Sequence, residues 1–144
     1  MHVTDFDPTH ILMMNVQPHQ AWMRDSIERG YGNVLLSGAC WTIWNGDTPI
    51  ACMGRIPLWA GNEEVWTVFD RDAGAQMTPV FRETKRRIAL PVCRRLQAYV
   101  DVEFAPAVRW MLLLGFTVEG RLTGYFPNGN DAFLFSLIRQ EGAQ

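Results

Sequence analysis

Residues 99–116 read YVDVEFAPAVRWMLLLGF, and they predict a strand, a tight turn and a helix that ends at a glycine. Tyr99 and Val100 favour a strand, and Pro106 is tolerated in the first turn of a helix. After the proline, apolar residues recur every three or four positions, as on the buried face of a helix: Ala107, Trp110, Met111 and Leu114. Gly115 is typical of the residue that stops a helix. We therefore expect a buried strand followed by an apolar helix.

A β-hairpin is predicted after this helix. Residues 116–125 (FTVEGRLTGY) are strand-like, and residues 132–138 (AFLFSLI) form a second apolar strand. The intervening residues 127–131 (PNGND) are rich in Gly and Asn, which is typical of a turn. The two strands are therefore expected to pair with each other.

The first half of the chain predicts a strand at residues 11–16, a helix from Pro18 to Gly30, and then three antiparallel strands. Those strands are expected at residues 34–44, 49–59 and 64–70, with turns at residues 45–47 and 60–62. A central helix follows, with Thr78 as its cap and Pro79 in its first turn. It is predicted to run toward Arg95 and to bend or end near residues 89–91, because Pro91 costs about 3 kcal/mol inside a helix.

The order of strand, helix, Gly-Phe and hairpin resembles the C-terminal half of the GCN5-related N-acetyltransferase (GNAT) superfamily, whose pattern is "V..N..A...Y...GF..EG". The matching residues are Val102, Ala107, Gly115, Phe116, Glu119 and Gly120. Residues 100–120 also resemble small GNAT-like proteins encoded by podophages. The resemblance implies one α/β (α+β) domain over residues 1–144, with a mixed, mostly antiparallel sheet flanked by helices. It also implies an acetyl-CoA-dependent N-acyltransferase.

GNAT enzymes bind the pyrophosphate of acetyl-CoA at the N-terminus of the central helix, where exposed amides and the helix dipole attract an anion. The equivalent residues here are 70–78 (DRDAGAQMT), which hold one glycine and two acidic residues, Asp70 and Asp72, that would repel phosphate if they pointed inward. The cofactor cleft is expected where strand 64–70 parts from strand 96–102. The residues assigned to the cofactor by the resemblance are Val68, Arg71, Gly74, Thr78, Arg82, Phe104 and Met111.

A general base that deprotonates the amine is sought on the fourth strand, and Glu64 is the candidate. The alternative is that Glu63 and Glu64 form a solvated strand entrance. The superfamily's tyrosine acid falls at Met111 and its asparagine falls at Phe104. These departures leave a second interpretation open: a catalytically degenerate GNAT-fold phage protein that acts as a binding, virion-assembly or host-takeover factor.

Composition narrows the classes of partner. The 144 residues are 48% hydrophobic, with a net charge of −2 and a pI near 5.9, which disfavours nucleic-acid binding. With no apolar run of about 18 residues and no legible targeting segment, we expect a cytoplasmic protein without a membrane anchor, in the host cytoplasm if phage-encoded. The expected partner is a small-molecule or protein amine acceptor. A phage or host protein partner and a homodimer are left open.

Individual side chains predict mostly core roles. The three cysteines, Cys40, Cys52 and Cys93, have no paired spacing and are expected to be free core thiols. No metal site is predicted, because the histidines are scattered. The tryptophans at positions 41, 44, 59 and 66 are expected in the core. The central helix is expected to carry a solvated basic face rather than a binding patch, formed by Lys85, Arg86, Arg87, Arg94 and Arg95.

Overall fold

The computed structural model describes residues 1–88 and 93–139. The strands, in chain order, are β1 (His2–Asp5), β2 (Cys40–Asn45), β3 (Thr48–Trp59), β4 (Asn62–Phe69), β5 (Arg95–Asp101), β6 (Thr117–Leu122) and β7 (Ala132–Ile138). The α-helices are α1 (Pro8–Leu12), α2 (Ala21–Glu28), α3 (Met77–Ile88) and α4 (Ala105–Leu113). Short 3-10 helices cover Pro18–Gln20, Gly32–Leu36 and Gly74–Gln76.

The strands form one mostly antiparallel sheet in the order β1-β2-β3-β4-β5-β7-β6. Strand β4 pairs in parallel with β5, over Asn62–Glu64 and Arg95–Gln97. The pairs β1–β2, β2–β3, β5–β7 and β6–β7 are antiparallel. This confirms the predicted class, a mixed α/β fold with a C-terminal hairpin.

Two compact units divide the chain, and strand β4 contributes to both. The first unit comprises residues 1–57 and 65–91, and the second comprises residues 58–64 and 92–144. The prediction of one domain over residues 1–144 stays a prediction.

The first unit contains a hydrophobic cluster between its strands and its first two helices. Cys52 and Val68 are fully buried there, on β3 and β4. The remaining buried members are Phe6, Ile11, Met14, Met23, Leu35 and Trp66. Helix α3 buries one face, with Val80, Thr84 and Ile88 at three- and four-residue spacing.

The second unit contains residues 99–116, for which the sequence predicted a strand followed by a helix. Strand β5 leads into α4, which has a proline in its first turn and buries Trp110 and Met111. Gly115 follows the helix with a φ of +98°, a conformation that L side chains rarely adopt, which explains a glycine there. Strands β6 and β7 then form the predicted hairpin.

A buried carboxylate, that of Asp101, lies at the end of β5 in the second unit. It accepts a hydrogen bond from the Glu103 amide (2.9 Å) at the turn into α4. It also accepts from Asn128 Nδ2 and from Asn130 Nδ2, each at 3.1 Å. These hydrogen bonds satisfy a charge that would otherwise be costly to bury.

The strand predicted at residues 11–16 is wrong, because helix α1 covers the start of that segment. The Asp7 carboxylate accepts a hydrogen bond from the Thr9 amide (2.9 Å), and the Asp7 amide donates to His10 Nδ1 (3.2 Å). This capping box, together with Pro8 at the first helical position, favours a helix over an apolar strand.

Two further strand predictions need correction. Residues 34–36 lie in a 3-10 helix, so the strand predicted at residues 34–44 begins only at Cys40. The first strand of the sheet is β1 at His2–Asp5, which the sequence did not predict, and it pairs with β2 at the edge of the sheet. The strands predicted at residues 49–59 and 64–70 are confirmed to within two residues.

The central helix also differs from its prediction. Thr78 is not its cap, because the 3-10 turn Gly74–Gln76 continues directly into α3 at Met77. Arg95 is not helical but begins β5 and pairs with Glu119 at 2.8 Å, so the basic residues do not share one helix face. The bend expected at residues 89–91 lies outside the described residues.

One aromatic prediction is wrong as well. Trp59 is 67% exposed at the end of β3, whereas Trp41 and Trp66 are buried. The strand emerges from the core after Gly54–Arg55, so the residues from Pro57 onward are exposed. Apolar composition alone did not reveal where β3 leaves the core.

Candidate functional site

Glu64 is a half-buried carboxylate near the start of β4. Burial raises its pKa above the ordinary value of 4.5, because desolvation disfavours the charged form. The two interpretations of this residue, a general base and a solvated strand entrance, both stay predictions. A carboxylate with a raised pKa is also a stronger base than an exposed one.

Two tyrosines stack in the same unit as Glu64. The rings of Tyr99, on β5, and Tyr125, after β6, lie 4.9 Å apart with an interplanar angle of 18°. Burial, the charge of Glu64 and the neighbouring Tyr99 raise the pKa of Tyr125. The Tyr125 hydroxyl therefore stays protonated at neutral pH, so it can donate a hydrogen bond but is a poor base.

A chain of amide side chains supports this pair of tyrosines. Asn62 Nδ2 donates to Gln97 Oε1 (3.2 Å), and Gln97 Nε2 donates to the Tyr99 hydroxyl (3.2 Å). Asn62 is 1% exposed, and its Oδ1 atom has no hydrogen-bond partner among the described residues. These buried amides hold the Tyr99 ring in place. The Tyr125 side chain is 46% exposed to solvent and is therefore accessible to a ligand.

The start of α3 presents free backbone donors in the first unit. The amides of Gly74 and Ala75 open the 3-10 turn, and neither donates to another described residue. Gly74 has a φ of +49°, and a Cβ atom there would meet no atom within 4 Å. Such a turn can hold an anion.

The two acidic residues before this turn are already engaged. Asp70 Oδ1 accepts from the Asn15 amide (2.7 Å), and Asp70 Oδ2 accepts from the Asp72 amide (3.0 Å). Asp72 Oδ2 accepts from Asn15 Nδ2 (3.0 Å). Their hydrogen bonds direct both carboxylates toward Asn15 and the loop, whereas the Arg71 and Arg82 side chains are exposed. The donors present therefore fit a diphosphate.

Several solved structures with a similar fold are named as acetyltransferases. A spermidine N-acetyltransferase chimera from Vibrio cholerae and hSSAT is 14% identical, with a TM-score of 0.68 and 96% of each chain covered. An IAA acetyltransferase from Bacillus cereus is 10% identical, with a TM-score of 0.72, over 96% of this chain and 99% of that one. A ribosomal-protein alanine N-acetyltransferase from Escherichia coli is 13% identical, with a TM-score of 0.67, over 99% and 98%. The chain has the GNAT fold. No protein-family model and no curated protein sequence matches it.

Three residues assigned to the cofactor by the GNAT resemblance have buried side chains. Val68 is fully buried in the core of the first unit, so only its backbone is available to a ligand. In the second unit, Phe104 is 8% and Met111 is 4% exposed. The resemblance assigns Met111 to the position of the GNAT tyrosine, and a methionine has no ionisable proton to offer a thiolate.

Sequence reasoning missed the tyrosine pair and the residues that contact the end of β4. Tyr99 and Tyr125 both read as strand residues, and their stacking depends on how the chain folds back after β6. Asn15 and Gln20 lie in the segment between α1 and α2, where the sequence predicted the end of a strand at Asn15 and the start of a helix at Gln20. Each of these contacts is long-range, so no local pattern signals it.

Neither a metal site nor a membrane span is found in the described chain. Residues 1–88 and 93–139 contain no group of three His, Cys, Asp or Glu side chains that could hold a metal ion. In the same ranges, no helix is long and apolar enough to span a bilayer.

Proposed function

We propose that this protein is an N-acetyltransferase that transfers the acetyl group of acetyl-CoA to a primary amine, with Glu64 as the general base. The observation that carries the proposal is the half-buried Glu64 carboxylate with its raised pKa, beside the exposed ring of Tyr125. The GNAT fold supplies the reaction class, since solved structures of this fold transfer acetyl groups.

Acetyl-CoA supplies an acetyl group activated as a thioester. The amine nitrogen must be neutral to attack, so its proton passes to the Glu64 carboxylate, directly or through one water. The new N–C bond forms as the C–S bond breaks, and the electron pair of that bond leaves with sulfur. Because Met111 takes the position of the tyrosine in the resemblance, α4 offers no acid at that position. The thiolate would leave unprotonated or take its proton from solvent.

The diphosphate of CoA would bind at the start of α3. The Gly74 and Ala75 amides are its donors, and the exposed Arg71 and Arg82 add positive charge. Thr78 is exposed in the first turn of the same helix.

The acceptor is expected to be a cationic amine. A stacked tyrosine pair presents an electron-rich surface to an ammonium group, and the nearby Glu64 adds negative charge. Similar structures bear names that include spermidine and a ribosomal-protein alanine, which are both amines. A polyamine or a peptide N-terminus is therefore the first class to screen.

A second candidate is a GNAT-fold protein without catalysis that serves as a binding or assembly factor, of a phage or of its host. It is favoured by the buried Met111 and Phe104, which replace two polar residues of the superfamily pattern. This candidate predicts that the protein does not bind acetyl-CoA.

The test begins with calorimetric titration of acetyl-CoA, with desulfo-CoA and ATP as comparison ligands. Micromolar binding, about −8 kcal/mol, supports the enzyme, and no binding at millimolar ligand supports the second candidate. An amine screen that follows thiol release then compares two variants. Glu64→Gln is expected to lower kcat about 100-fold or more while binding is kept.

Glu63→Gln is the matched control. Successive side chains alternate across a strand, so Glu63 lies on the other face of β4, and its variant is expected to keep kcat within about twofold. Equal turnover in both variants would remove Glu64 from the role of base.

A further inference from the structure

A chain of hydrogen-bonded side chains crosses one face of the sheet in the second unit. Asn62 and Glu64 are two residues apart on β4, so their side chains lie on the same face of that strand. Glu64 pairs with Gln97 on β5, and Asn62 Nδ2 donates to Gln97 Oε1 (3.2 Å), so Gln97 shares this face. Tyr99 lies two residues beyond Gln97 on the same strand, and therefore on the same face.

Arg95 decides which way the Gln97 amide points. Its Nε donates to Gln97 Oε1 (3.3 Å), and its Nη1 donates to Glu119 Oε2 (2.8 Å). A guanidinium has donors only, so the oxygen of the Gln97 amide must face it. Asn62 alone would not fix this direction, because its own amide can turn to offer either a donor or an acceptor. The nitrogen of the Gln97 amide is therefore left to face Tyr99.

This direction assigns a role to the Tyr99 hydroxyl. Gln97 Nε2 donates to it (3.2 Å), so the hydroxyl oxygen accepts and its own proton must point elsewhere. Within residues 1–88 and 93–139, no group accepts that proton. The Tyr99 side chain is half-buried rather than enclosed. Tyr99 thus presents an unused donor to a ligand on this face.

Glu64 offers the complementary group on the same face. Its half-buried carboxylate accepts no hydrogen bond from the part of the chain that the structure describes. A buried charge without such a bond is costly, and an ammonium group that donates to Glu64 would relieve the cost. Glu64 and Tyr99 together therefore suit a ligand that carries an amine close to a hydrogen-bond acceptor.

We propose that the acceptor substrate is the N-terminus of a peptide, whose amine faces Glu64 while the Tyr99 hydroxyl donates to the carbonyl oxygen of the first peptide residue. The inference rests on the proposed function and selects one of its two acceptor classes. A protonated polyamine carries only N–H donors, so it has no group that accepts the Tyr99 proton. Gln97 is a positioning residue here, since it acts on the peptide through Tyr99.

The test compares two ligands of similar size and equal charge. Glycinamide has an amine next to a carboxamide, as a peptide N-terminus does. Isobutylamine has two methyl groups in place of the oxygen and nitrogen of that carboxamide. The measured quantity is the affinity for glycinamide divided by the affinity for isobutylamine. Because this ratio is compared between protein variants, the different basicity and hydrophobicity of the two ligands cancel.

Two variants are expected to lower the ratio about fivefold relative to the wild type. Tyr99→Phe removes the donor. Gln97→Glu replaces the amide with a carboxylate of the same shape, which only accepts, so the Tyr99 hydroxyl would donate to it instead of to the ligand. The added charge acts on both cationic ligands alike, and a general loosening of the site would weaken both.

Tyr31→Phe is the matched control. It makes the same chemical change on a tyrosine of the first unit that is 68% exposed, so it should leave the ratio at the wild-type value. Glycine is a third ligand, which separates a free amino acid from a peptide N-terminus. Its carboxylate would lie near that of Glu64, so glycine is expected to bind more weakly than glycinamide.

The affinities are read by NMR on protein with isotopically labelled tyrosine rings, with CoA absent and with CoA present. The chain has three tyrosines, so each ring signal can be assigned from one Tyr→Phe variant. Glycinamide should shift the Tyr99 signal and leave the Tyr31 signal in place. Circular dichroism checks that every variant is folded.

Failures of the two proposals are distinguishable. A ratio that falls in both Tyr99→Phe and Gln97→Glu, and not in Tyr31→Phe, supports the peptide acceptor, even if the protein does not bind CoA and the proposed function fails. A ratio that either site variant leaves unchanged overturns the peptide acceptor, while CoA binding and amine turnover would keep the proposed function. Tighter binding of glycine than of glycinamide, or no binding of either amine, also overturns the peptide acceptor.

Discussion

At the scale of the single residue, the partial burial of Glu64 makes stability depend on pH. Its folded pKa is raised by burial, so the native state holds the proton more tightly than the unfolded chain, whose value is near 4.5. The stability that the protonated form contributes is present below pH 4.5 and is lost as the pH rises through the folded pKa. We expect Glu64→Gln to be at least as stable as the wild type at pH 7.

Urea denaturation at pH 4 and pH 7 checks this expectation. The free energy of unfolding of Glu64→Gln should exceed that of the wild type by more at pH 7 than at pH 4. Glu63→Gln is the control for a substitution at the neighbouring position. A loss of stability at pH 7 confined to Glu64→Gln would show that the carboxylate makes a stabilising contact instead.

The cysteines differ in reactivity for the same physical reason. Cys52 is fully buried beside Met14 and Thr42, and burial raises its pKa to about 12, which leaves roughly one thiol in 10,000 ionised at pH 8. Cys40 is half-buried, with its pKa raised by burial and by Asp5. Maleimide at pH 8 is expected to label Cys40 first and Cys52 only after urea unfolding, as read by peptide mass spectrometry. Early labelling of Cys52 would mean that the core of the first unit opens readily.

At the scale of the element, β3 and β4 depend on a glycine. A Cβ atom at Gly54 would lie 2.6 Å from Trp66 Nε1 and 2.9 Å from the Cys40 Cβ. Gly54→Ala is therefore expected to cost about 1–3 kcal/mol of unfolding free energy through overpacking. Gly120→Ala is the control, since a Cβ there meets nothing within 4 Å.

Chemical denaturation of the two glycine variants measures the difference. Equal stability would mean that the Trp66 ring moves aside at little cost.

Elements were predictable where several local signals agreed. The helix before Gly115 and the hairpin after it combine proline, apolar periodicity and a glycine-rich turn, and all of these agree with the structure. Residues 11–16 were not predictable from their apolar run, because the capping box of Asp7 and His10 lies upstream and starts a helix. The 3-10 helix Gly32–Leu36 has no distinctive sequence signal, so the start of β2 at Cys40 could not be predicted.

At the scale of the whole molecule, CoA should stabilise the native state by mass action. At a ligand concentration 100 times the Kd, the gain is about 2.7 kcal/mol, which raises Tm by roughly 5–10 °C for a chain of this size. Thermal unfolding followed over a series of CoA concentrations checks this. A Tm that ATP raises as much as CoA does would point to a general anion site rather than a CoA site.

The fold and the site differ in how far the sequence could reveal them. The GNAT fold follows from the order of elements, most of which have a local pattern, although β1 and α1 were not predicted. The candidate site depends on long-range pairs, such as Gln20 with Phe69 and Tyr99 with Tyr125, which arise only once strands are in register. Glu64 could be chosen as a candidate from its position on a predicted strand, but the sequence did not predict that its side chain is half-buried.

The buried Asp101 carboxylate joins parts of the chain that are far apart in sequence. It accepts hydrogen bonds from the Glu103 amide, at the turn into α4, and from the Asn128 and Asn130 side chains, in the loop between β6 and β7. Fluctuations of these two segments should be cooperative, so that the hairpin loop and the first turn of α4 open as a single foldon with one opening free energy.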